Sequence, residues 1–502
     1  MRYRKPLAFA VKVLASIVVV VLFVGATQMV GYGQTTSGLP LLPHNFVQAA
    51  PQGFGDRQNS WAWSMIWWRG KLYVGTNRNW MCVQAAMNAY AFPGMPYPPN
   101  DPDLPCPPQW EDLELQAEIW RWTPETDTWE RVYQSPNDIE IPDHPGKYVA
   151  RDIGYRYMRV FTEPDGTEAL YVTGVSARSY IKGIPPPRIL RSTDGVNFEP
   201  IPQDPGTFLG DLDTIDGIDM NGFRTLKTYK GRLYTTVGRI YGNGILLEAE
   251  DPAGGNDNFR QVSPPGMTIF EVEPYNGFLY IGTTDLYNGY SILKTDATGE
   301  PPYSFTPVVT NGGYRKPRPS GSVLSMFVFK DRLYVGTDRP AELIRINPDD
   351  TWDLIIGTPR DTPDGRKEPL SGMGDGFGNW LNWHIWRMGE YNGWLYVGTY
   401  DGSTTFHTIS WLEPILRPYM GFDLYASQDG VHFTKITTTG FDHMFDCGVR
   451  TLESTPYGLF LGTANPYYGL RIWRGVPGEV YHTYLPLVNV SASETTPTGL
   501  TR

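Results

Sequence analysis

The stretch RLYVGTDRP, from Arg332 to Pro340, decides the fold because its core recurs along the chain. The related stretches are KLYVGT from Lys71, ALYVTG from Ala169, RLYTTVG from Arg232, FLYIGT from Phe278, WLYVGT from Trp394 and GLFLGT from Gly458. Seven copies of one apolar strand predict an array of similar supersecondary units. A residue type required in every copy is required for packing, so function is expected where the repeat is not copied.

Each unit is predicted to contain four strands. An apolar stretch such as FRTLKTY from Phe223 precedes the repeat, and hairpin turns such as the Asn-Gly pair at Asn276 connect the two. A third strand follows, as in RILRSTDG from Arg188, and then a short fourth, as in NFEPI from Asn197. Because the repeat is apolar on both faces, we predict an all-β, seven-bladed β-propeller of four-stranded antiparallel blades over residues 59–476.

Two turns carry a family resemblance. RSTDGVNF from Arg191 and ASQDGVHF from Ala426 resemble the Asp-box turns of sialidase-type propellers, whose pattern is Ser-x-Asp-x-Gly-x-x-aromatic. Here Asp194 and Asp429 directly precede glycine, so one residue of that pattern is missing. ETDTWERV from Glu125 resembles a kelch-like version of the same turn. The resemblance implies a propeller architecture and adds a sialidase-like glycosidase to the candidate functions.

Composition narrows the function classes. The chain has 502 residues, 41% of them hydrophobic, and a formal net charge of −11. That charge argues against binding nucleic acid or an anionic membrane surface, which requires clustered Lys and Arg, and it permits cation binding. The sequence also lacks a GxSxG elbow, an HExxH motif and a phosphate-binding GxxxxGK[ST] loop.

The N-terminus predicts export. Basic residues at Arg2, Arg4 and Lys5 precede an apolar run from Val13 to Val30, as in a secretory signal. Two alternatives remain open, namely cleavage after Ala26 and retention as a membrane anchor, since the run is about long enough to span a bilayer. The protein is therefore expected to be secreted or at the cell surface, in contact with a membrane only through an uncleaved N-terminal segment.

The chain is expected to divide into four parts. Residues 1–34 form the signal or anchor, residues 35–58 a linker, and residues 59–476 the propeller. Residues 477–502 contain VYHTYLPLVNV from Val480, which is either a closing strand or a short tail signal of exported proteins, and a disordered polar tail.

An insertion at 77–118 interrupts the first blade. Its segment FPGMPYPPNDPDLPCPPQW is rich in proline, so the insertion is predicted to be a loop without helix or strand, either a functional lid or a decorative loop. Cys82 precedes this segment and Cys106 lies near its end, so the two could form a disulfide across the insertion, with Cys447 left over. The alternative is three unpaired thiols.

A second departure from the repeat is SGMGDGFGNWLNWHIWRM, from Ser371. Exposed Trp faces stack on sugar rings, which makes this segment a candidate ligand site. The candidates are Asp375, Trp380, Trp383 and His384. The competing interpretation is that these side chains pack between blades, and it is favoured for Trp63 and Trp386, which occupy strand-like positions.

Arginines recur where the first strand of a blade begins. Arg224 and Arg450 each stand ten residues before the aromatic residue of the repeat. Arg151, Arg156 and Arg159 precede the second copy. Converging guanidinium groups would form a carboxylate site, which is the role of the arginine triad in the sialidases that the chain resembles. The Arg-Ile-Pro motif of those enzymes is absent, and salt bridges between blades are the favoured interpretation of these arginines.

The stretch GDLDTIDGIDMNG, from Gly210, concentrates carboxylates. The candidate ligands are Asp211, Asp213, Asp216 and Asp219, whose spacing makes calcium a possible ligand. A solvated acidic loop is the alternative. No cofactor is expected to be required.

These observations favour an exported binding scaffold that recognises a glycan or protein ligand at the mouth of the propeller channel. A sialidase-like glycosidase and a structural cell-surface protein are the alternatives, and an enzyme is the less favoured reading.

Overall fold

The computed structural model describes residues 38–92, 94–215, 218–239 and 244–478. Within them the protein is all-β, with antiparallel pairing in every sheet. The predicted signal or anchor at 1–34 and the predicted closing strand from Val480 lie outside the described residues. No helix in the described part of the chain is long and apolar enough to cross a membrane.

Short strands account for most of the regular structure. In chain order they are β1 (Phe46–Gln48), β2 (Asn59–Trp68), β3 (Lys71–Arg78), β4 (Glu118–Thr123), β5 (Thr128–Gln134), β6 (Ile139–Glu140), β7 (Tyr148–Val149), β8 (Gly154–Thr162), β9 (Glu168–Val175), β10 (Ile189–Ser192), β11 (Glu199–Pro200), β12 (Thr214–Ile215), β13 (Ile218–Asp219), β14 (Gly222–Tyr229), β15 (Arg232–Gly238), β16 (Gly244–Ala249), β17 (Phe259–Gln261), β18 (Ile269–Tyr275), β19 (Phe278–Thr283), β20 (Ile292–Thr295), β21 (Thr306–Val309), β22 (Val323–Phe329), β23 (Arg332–Thr337), β24 (Leu343–Ile346), β25 (Trp352–Ile356), β26 (Arg360–Thr362), β27 (Gly365–Lys367), β28 (Asn382–Tyr391), β29 (Trp394–Asp401), β30 (Leu424–Ser427), β31 (Thr434–Thr437), β32 (Gly448–Thr455), β33 (Gly458–Ala464) and β34 (Ile472–Gly475). The α-helices are α1 (Trp80–Ala91) and α2 (Glu413–Leu416). Single 3-10 turns, such as Ser403–Phe406, occur in the connecting loops.

Strands that follow one another in the chain pair with one another. β2 to β5 pair in succession, as do β8 to β11, β14 to β17, β18 to β21, β22 to β25 and β28 to β31. β32, β33 and β34 pair in the same way. We call β2, β8, β14, β18, β22, β28 and β32 the opening strands. Each opening strand contacts the next one along the chain, and β32 contacts β2.

The strand that completes the last group comes from the other end of the chain. β1 pairs antiparallel with β34, from Phe46 opposite Gly475 to Gln48 opposite Trp473. This segment lies in the predicted linker, residues 35–58. The structure makes it a strand because Phe46 and Leu41 are buried in one apolar cluster with Tyr396.

The insertion in the first group contains a helix that the sequence analysis did not predict. α1 begins at Trp80 and ends at Ala91, before the first proline of the insertion. Its residues Trp80, Val83 and Ala86 are buried, because they pack on the apolar cluster that contains Trp63. The expectation of an insertion without helix was therefore wrong for its first half, since the proline argument applies only to the second half.

The glycine of the repeat provides space between neighbouring groups. A Cβ added at Gly398 would lie 2.3 Å from Cβ of Val449, and one at Gly282 would lie 2.5 Å from Cβ of Val323. At Gly462, in the last group, the added atom would lie 2.5 Å from Cβ of Ala62 in β2. The glycine is thus required because the opening strand of the next group approaches closely.

The tyrosine of the repeat reaches the next group. The Tyr280 hydroxyl donates to Oδ1 of Asp350 at 2.6 Å, in the turn before β25. A Cβ added at Gly430, before β31, would lie 1.8 Å from the Tyr334 hydroxyl oxygen. The Tyr and Gly of the repeat therefore both act between groups.

The two turns that resemble Asp-boxes are tightly bonded. In the first, Oδ1 of Asp194 accepts hydrogen bonds from the backbone N–H groups of Val196 and Asn197, both at 2.8 Å. These bonds hold the pKa of Asp194 well below its ordinary value. Gly195 has a φ of 74°, which glycine adopts without steric cost.

Candidate functional site

β-Bulges interrupt the opening strands at corresponding positions. The bulged residues are Trp63, Arg156, Arg224 with Thr225, Phe270, Leu324, Trp386 and Arg450. A bulge re-aims the side chain that it inserts. One buried apolar cluster, to which residues of α1 also belong, contains four of these bulged residues: Trp63, Phe270, Leu324 and Trp386.

Guanidinium groups lie against the aromatic members of this cluster. The Arg224 guanidinium lies 3.3 Å from the Phe270 ring centroid, and that of Arg450 lies 5.1 Å from the Trp386 ring. Arg156 lies 5.3 Å from the Trp63 ring. Cation–π contacts of this kind partly offset the loss of hydration of a buried cation.

These guanidinium groups also lie near one another. We define the arginine cluster as Arg156, Arg224, Arg387 and Arg450. Burial and the neighbouring charges of Arg387, Arg156 and Arg224 hold the pKa of Arg450 well below its ordinary value, and Glu271 opposes this shift. Burial and Arg156 likewise lower the pKa of Arg224. The cluster thus concentrates positive charge in a buried position.

Glu271 forms ion pairs with two members of the cluster. Its Oε1 lies 3.4 Å from Nη1 of Arg387, whereas its Oε2 lies 3.9 Å from Nε of Arg224. Arg450 is 2% exposed, and its Nε and Nη1 have no hydrogen-bond partner among the described residues. No carboxylate in the described ranges lies within 4.0 Å of the Arg450 guanidinium. Arg224 and Arg387 thus each form an ion pair with Glu271 of another opening strand, whereas Arg450 has none in the described ranges.

A cavity of about 570 Å³ adjoins the arginine cluster. All the opening strands contribute to its lining. The charged residues that line it are Arg156, Arg159, Lys227, Glu273, Arg387 and Glu453, and its less polar wall includes Trp63, Trp67, Met65, Met158, Met326 and Phe327. Its size suits a small ligand with both polar and apolar surface.

The two carboxylates of the cavity differ in their surroundings. Oε2 of Glu273 forms an ion pair of 2.5 Å with Nζ of Lys227. Burial raises the pKa of Glu453 to about 7, although a 2.9 Å hydrogen bond from the Trp67 N–H and the charge of Arg159 act in the opposite direction. Positive charge therefore dominates the cavity when Glu453 is protonated.

The structure brings some of the predicted site residues together. Arg224 and Arg450 lie in one cluster with Arg156, and Arg159 lines the cavity. Arg151 lies elsewhere, next to Asp152 and Arg188.

Sequence reasoning missed Arg387, Lys227, Glu271, Glu273 and Glu453. A signal was present for two of them, because Lys227 and Glu453 each follow a bulged arginine by three residues.

The segment from Ser371 does not form one site. Trp380 is 74% exposed, whereas Trp383 is half-buried under the Arg339 guanidinium, 5.5 Å from its ring. Oδ2 of Asp375 accepts a 2.6 Å hydrogen bond from Arg315. Asp375 and Trp380 are absent from the lining of the cavity.

His384 lies in aromatic surroundings. Its ring stacks on Tyr400 at 5.0 Å. Burial, with Arg339 and Arg224 nearby, lowers the pKa of His384 to about 3. The imidazole is therefore neutral at physiological pH.

The carboxylates of the acidic loop point to different partners. Asp213 pairs with Arg178, Asp211 accepts from the N–H of Gly206 at 3.0 Å, and Asp219 accepts from the Thr214 hydroxyl at 3.1 Å. Asp216 lies outside the described residues. The calcium site remains a prediction.

One of the two alternatives for the cysteines, a disulfide across the insertion, is confirmed. Cys82 and Cys106 form a disulfide, and Cys447 is a buried free thiol. The bridge joins α1 to the end of the proline-rich segment.

Comparisons with known proteins identify no family. No protein-family model matches the chain, and no curated protein sequence matches it. Similar solved structures include a puromycin hydrolase, with 11% identity, a TM-score of 0.44 and coverage of 85% of this chain and 55% of that chain. A nidogen/laminin complex has 10% identity, a TM-score of 0.32 and coverages of 63% and 92%. A GH43 β-1,3-galactosidase with galactodeoxynojirimycin has 12% identity, a TM-score of 0.32 and coverages of 62% and 94%.

The chain spans about half the length of the puromycin hydrolase that it matches. TM-scores below 0.5 carry no argument about function, which therefore rests on the residues of this chain.

Proposed function

We propose that the chain is a seven-bladed β-propeller. The closed series of opening strands supports this architecture, because β32 returns to β2 and β1 completes the last group. A radial arrangement of four-stranded groups covers both faces of each sheet. In this arrangement the opening strands surround a central channel, and the 570 Å³ cavity is part of it.

We further propose that the protein is an exported binding protein for an acidic glycan. The observation that carries this proposal is the excess of cationic side chains on the cavity wall, where Arg156, Arg159, Lys227 and Arg387 outnumber the carboxylates Glu273 and Glu453. Guanidinium groups that line a cavity bind a carboxylate ligand through bidentate hydrogen bonds. The aromatic and Met side chains of the same cavity suit the apolar face of a sugar ring.

Calorimetric titration of the exported domain with paired sugars tests this proposal. We expect glucuronic, galacturonic and N-acetylneuraminic acids to bind, whereas glucose and galactose do not. Arg387→Met should weaken binding about 10- to 100-fold, because it removes a charged hydrogen-bond donor from the cavity wall. Arg366→Met, at a 56% exposed surface side chain, is the matched control. Equal binding of acidic and neutral sugars, or none by either, would contradict the proposal.

A glycosidase is the second candidate, and Glu453 favours it. Two carboxylates in one cavity, one of raised pKa and one ion-paired, resemble the acid and base that glycoside hydrolysis requires. Fluorogenic glycosides of acidic sugars test this reading. Turnover that Glu453→Gln abolishes while binding is retained would support it, and absence of turnover with intact binding would leave only the binding protein.

A further inference from the structure

A second cluster of ligating side chains lies outside the cavity. It joins the insertion of the first group to the loop after β29. Asp101 and Asp103 lie in the segment that the Cys82–Cys106 disulfide closes, and His407 follows the turn at Ser403–Phe406. One ligand atom from each of the three residues lies within 4.8 Å of the other two. The His407 side chain is 5% exposed, and that of Asp101 is 14% exposed.

The orientation of His407 is defined by its other ring nitrogen. Nδ1 lies 2.7 Å from the backbone oxygen of Thr404, and because a carbonyl oxygen only accepts, Nδ1 carries a proton and donates it. Nε2 therefore faces the two carboxylates, at 3.2 Å from Oδ1 of Asp101 and 3.2 Å from Oδ2 of Asp103. An imidazole that donates Nδ1–H to a carbonyl and offers Nε2 has the arrangement of a metal ligand.

The distances suit a shared cation. Two ligands about 2.1 Å from one ion, at angles between octahedral and tetrahedral, lie about 3.0 to 3.4 Å apart. Both Nε2-to-carboxylate distances fall in that interval. A single Nε2 proton, by contrast, would have to be shared between two acceptors.

Outer partners hold the three ligands. The Tyr468 hydroxyl donates to Oδ1 of Asp103, which leaves Oδ2 directed at His407. The Asp103 N–H donates to Oδ1 of Asp101 at 2.9 Å. The His407 ring lies edge-on against Phe445 and Tyr467, at 5.2 and 4.9 Å. These contacts would preorganise the ligands before an ion binds.

One side of the cluster opens to space. A cavity of about 350 Å³ is lined by Asp103 and His407, together with Glu413 and Arg417 of the α2 region. Water can complete the coordination of an ion from this side, whereas the carboxylate of Glu413 is ion-paired with Arg417 at 2.5 Å. The three residues thus leave a coordination position open, as three-ligand metal sites do.

We propose that Asp101, Asp103 and His407 bind a divalent transition-metal ion, Zn²⁺ or Mn²⁺. A mixed set of one imidazole and two carboxylates suits these ions better than Mg²⁺ or Ca²⁺, which prefer oxygen ligands alone. The ion fastens the proline-rich half of the insertion to the loop after β29. This site is separate from the arginine cluster and does not depend on the proposed glycan binding.

Calorimetric titration of the oxidised, metal-stripped domain with Zn²⁺, Mn²⁺ and Ca²⁺ at pH 7 tests the proposal. We expect one Zn²⁺ or Mn²⁺ per chain, and binding weakened at least 100-fold by His407→Gln and at least 10-fold by Asp101→Asn. His432→Gln is the matched control, because His432 forms an exposed pair with Asp429 at 2.7 Å that lacks a second carboxylate. Circular dichroism spectra establish that each variant is folded.

Three results would overturn the proposal. They are the absence of stoichiometric Zn²⁺ or Mn²⁺ binding by the folded wild-type domain, equal affinity of wild type and Asp101→Asn, and a preference for Ca²⁺. The first would indicate that His407 only makes polar contacts with the two aspartates. Should His407→Gln fail to fold, Asp101→Asn with its conserved shape decides the question.

Discussion

Nε of Arg387 donates a hydrogen bond of 3.1 Å to the backbone oxygen of Arg450, so that neighbouring opening strands hold two guanidinium groups close together. Arg387 also reaches Glu271, but Arg450 has no carboxylate partner among the residues that the structure describes. The arrangement keeps positive charge buried at some cost to stability. Such a cost is typical of functional sites, and Arg387 is the member of this pair that lines the cavity.

Arg450→Met should therefore raise the stability of the ligand-free protein. The substitution removes a 2% exposed cation and keeps most of the side-chain volume on Trp386, which we expect to be worth about 1 kcal/mol or more. Urea unfolding measures the change. Arg366→Met, at the surface, should stay within about 0.5 kcal/mol of wild type. A clear loss of stability in Arg450→Met would mean that the guanidinium is compensated.

Gly336→Ala should destabilise the fold by about 1 to 3 kcal/mol. A Cβ at this position would lie 2.7 Å from the backbone oxygen of Ile385 in the next group, and backbone cannot move aside as a flexible side chain can. Gly374→Ala is the control, because nothing lies within 4 Å of its added Cβ. Thermal unfolding of both variants checks the difference, and equal melting temperatures would contradict close packing between groups.

Glu453 should make stability fall as pH rises. Its pKa is raised from 4.5 to about 7 in the folded protein, so the folded state retains a proton that the unfolded chain releases. The resulting penalty grows between pH 4.5 and 7, is complete above pH 7, and amounts to about 3 kcal/mol.

Urea unfolding from pH 4 to 9 tests this linkage. The free energy of unfolding of Glu453→Gln should match or exceed that of wild type above pH 7. This advantage should disappear near pH 4. Other buried carboxyls, such as Asp401, whose pKa burial raises to about 8, titrate in both proteins and cancel in the difference. Glu300→Gln, at an exposed position, is the control, and parallel pH profiles for wild type and Glu453→Gln would refute the assignment.

Removing the Cys82–Cys106 disulfide should destabilise the insertion. The bridge closes a loop with a sequence separation of 24 residues, for which chain entropy gives about 3 kcal/mol. The double substitution to Ala should also weaken metal binding at Asp101 and Asp103, which lie within that loop. Cys447→Ala, which removes a thiol without a bridge, should leave metal binding unchanged. If the metal affinity is unaltered without the disulfide, metal binding at Asp101 and Asp103 does not depend on the bridge, and the prediction is contradicted.

Much of the fold could be predicted from local pattern. The repeat around Tyr334 predicted β23 and its equivalents, because a short apolar run and the hairpin turn before it depend on a few neighbouring residues. The helix α1 was not predicted, because the proline-rich composition of the residues after Phe92 was applied to the whole insertion. The residues of α1 precede those prolines. The pairing of β1 with β34 was missed because the two strands are far apart in the chain.

The sequence by itself determined the repeated strand, its hairpins and the positions of Arg224 and Arg450, since each depends on residues near one another in the chain. Only the tertiary structure decided that Gly398 is required for the approach of Val449, and that Arg387 and Glu271 join the same cluster. It alone brought His407 to Asp101. The physical reason is that charge compensation, close approach and ligation depend on distances between groups of strands, which no local pattern of residues records.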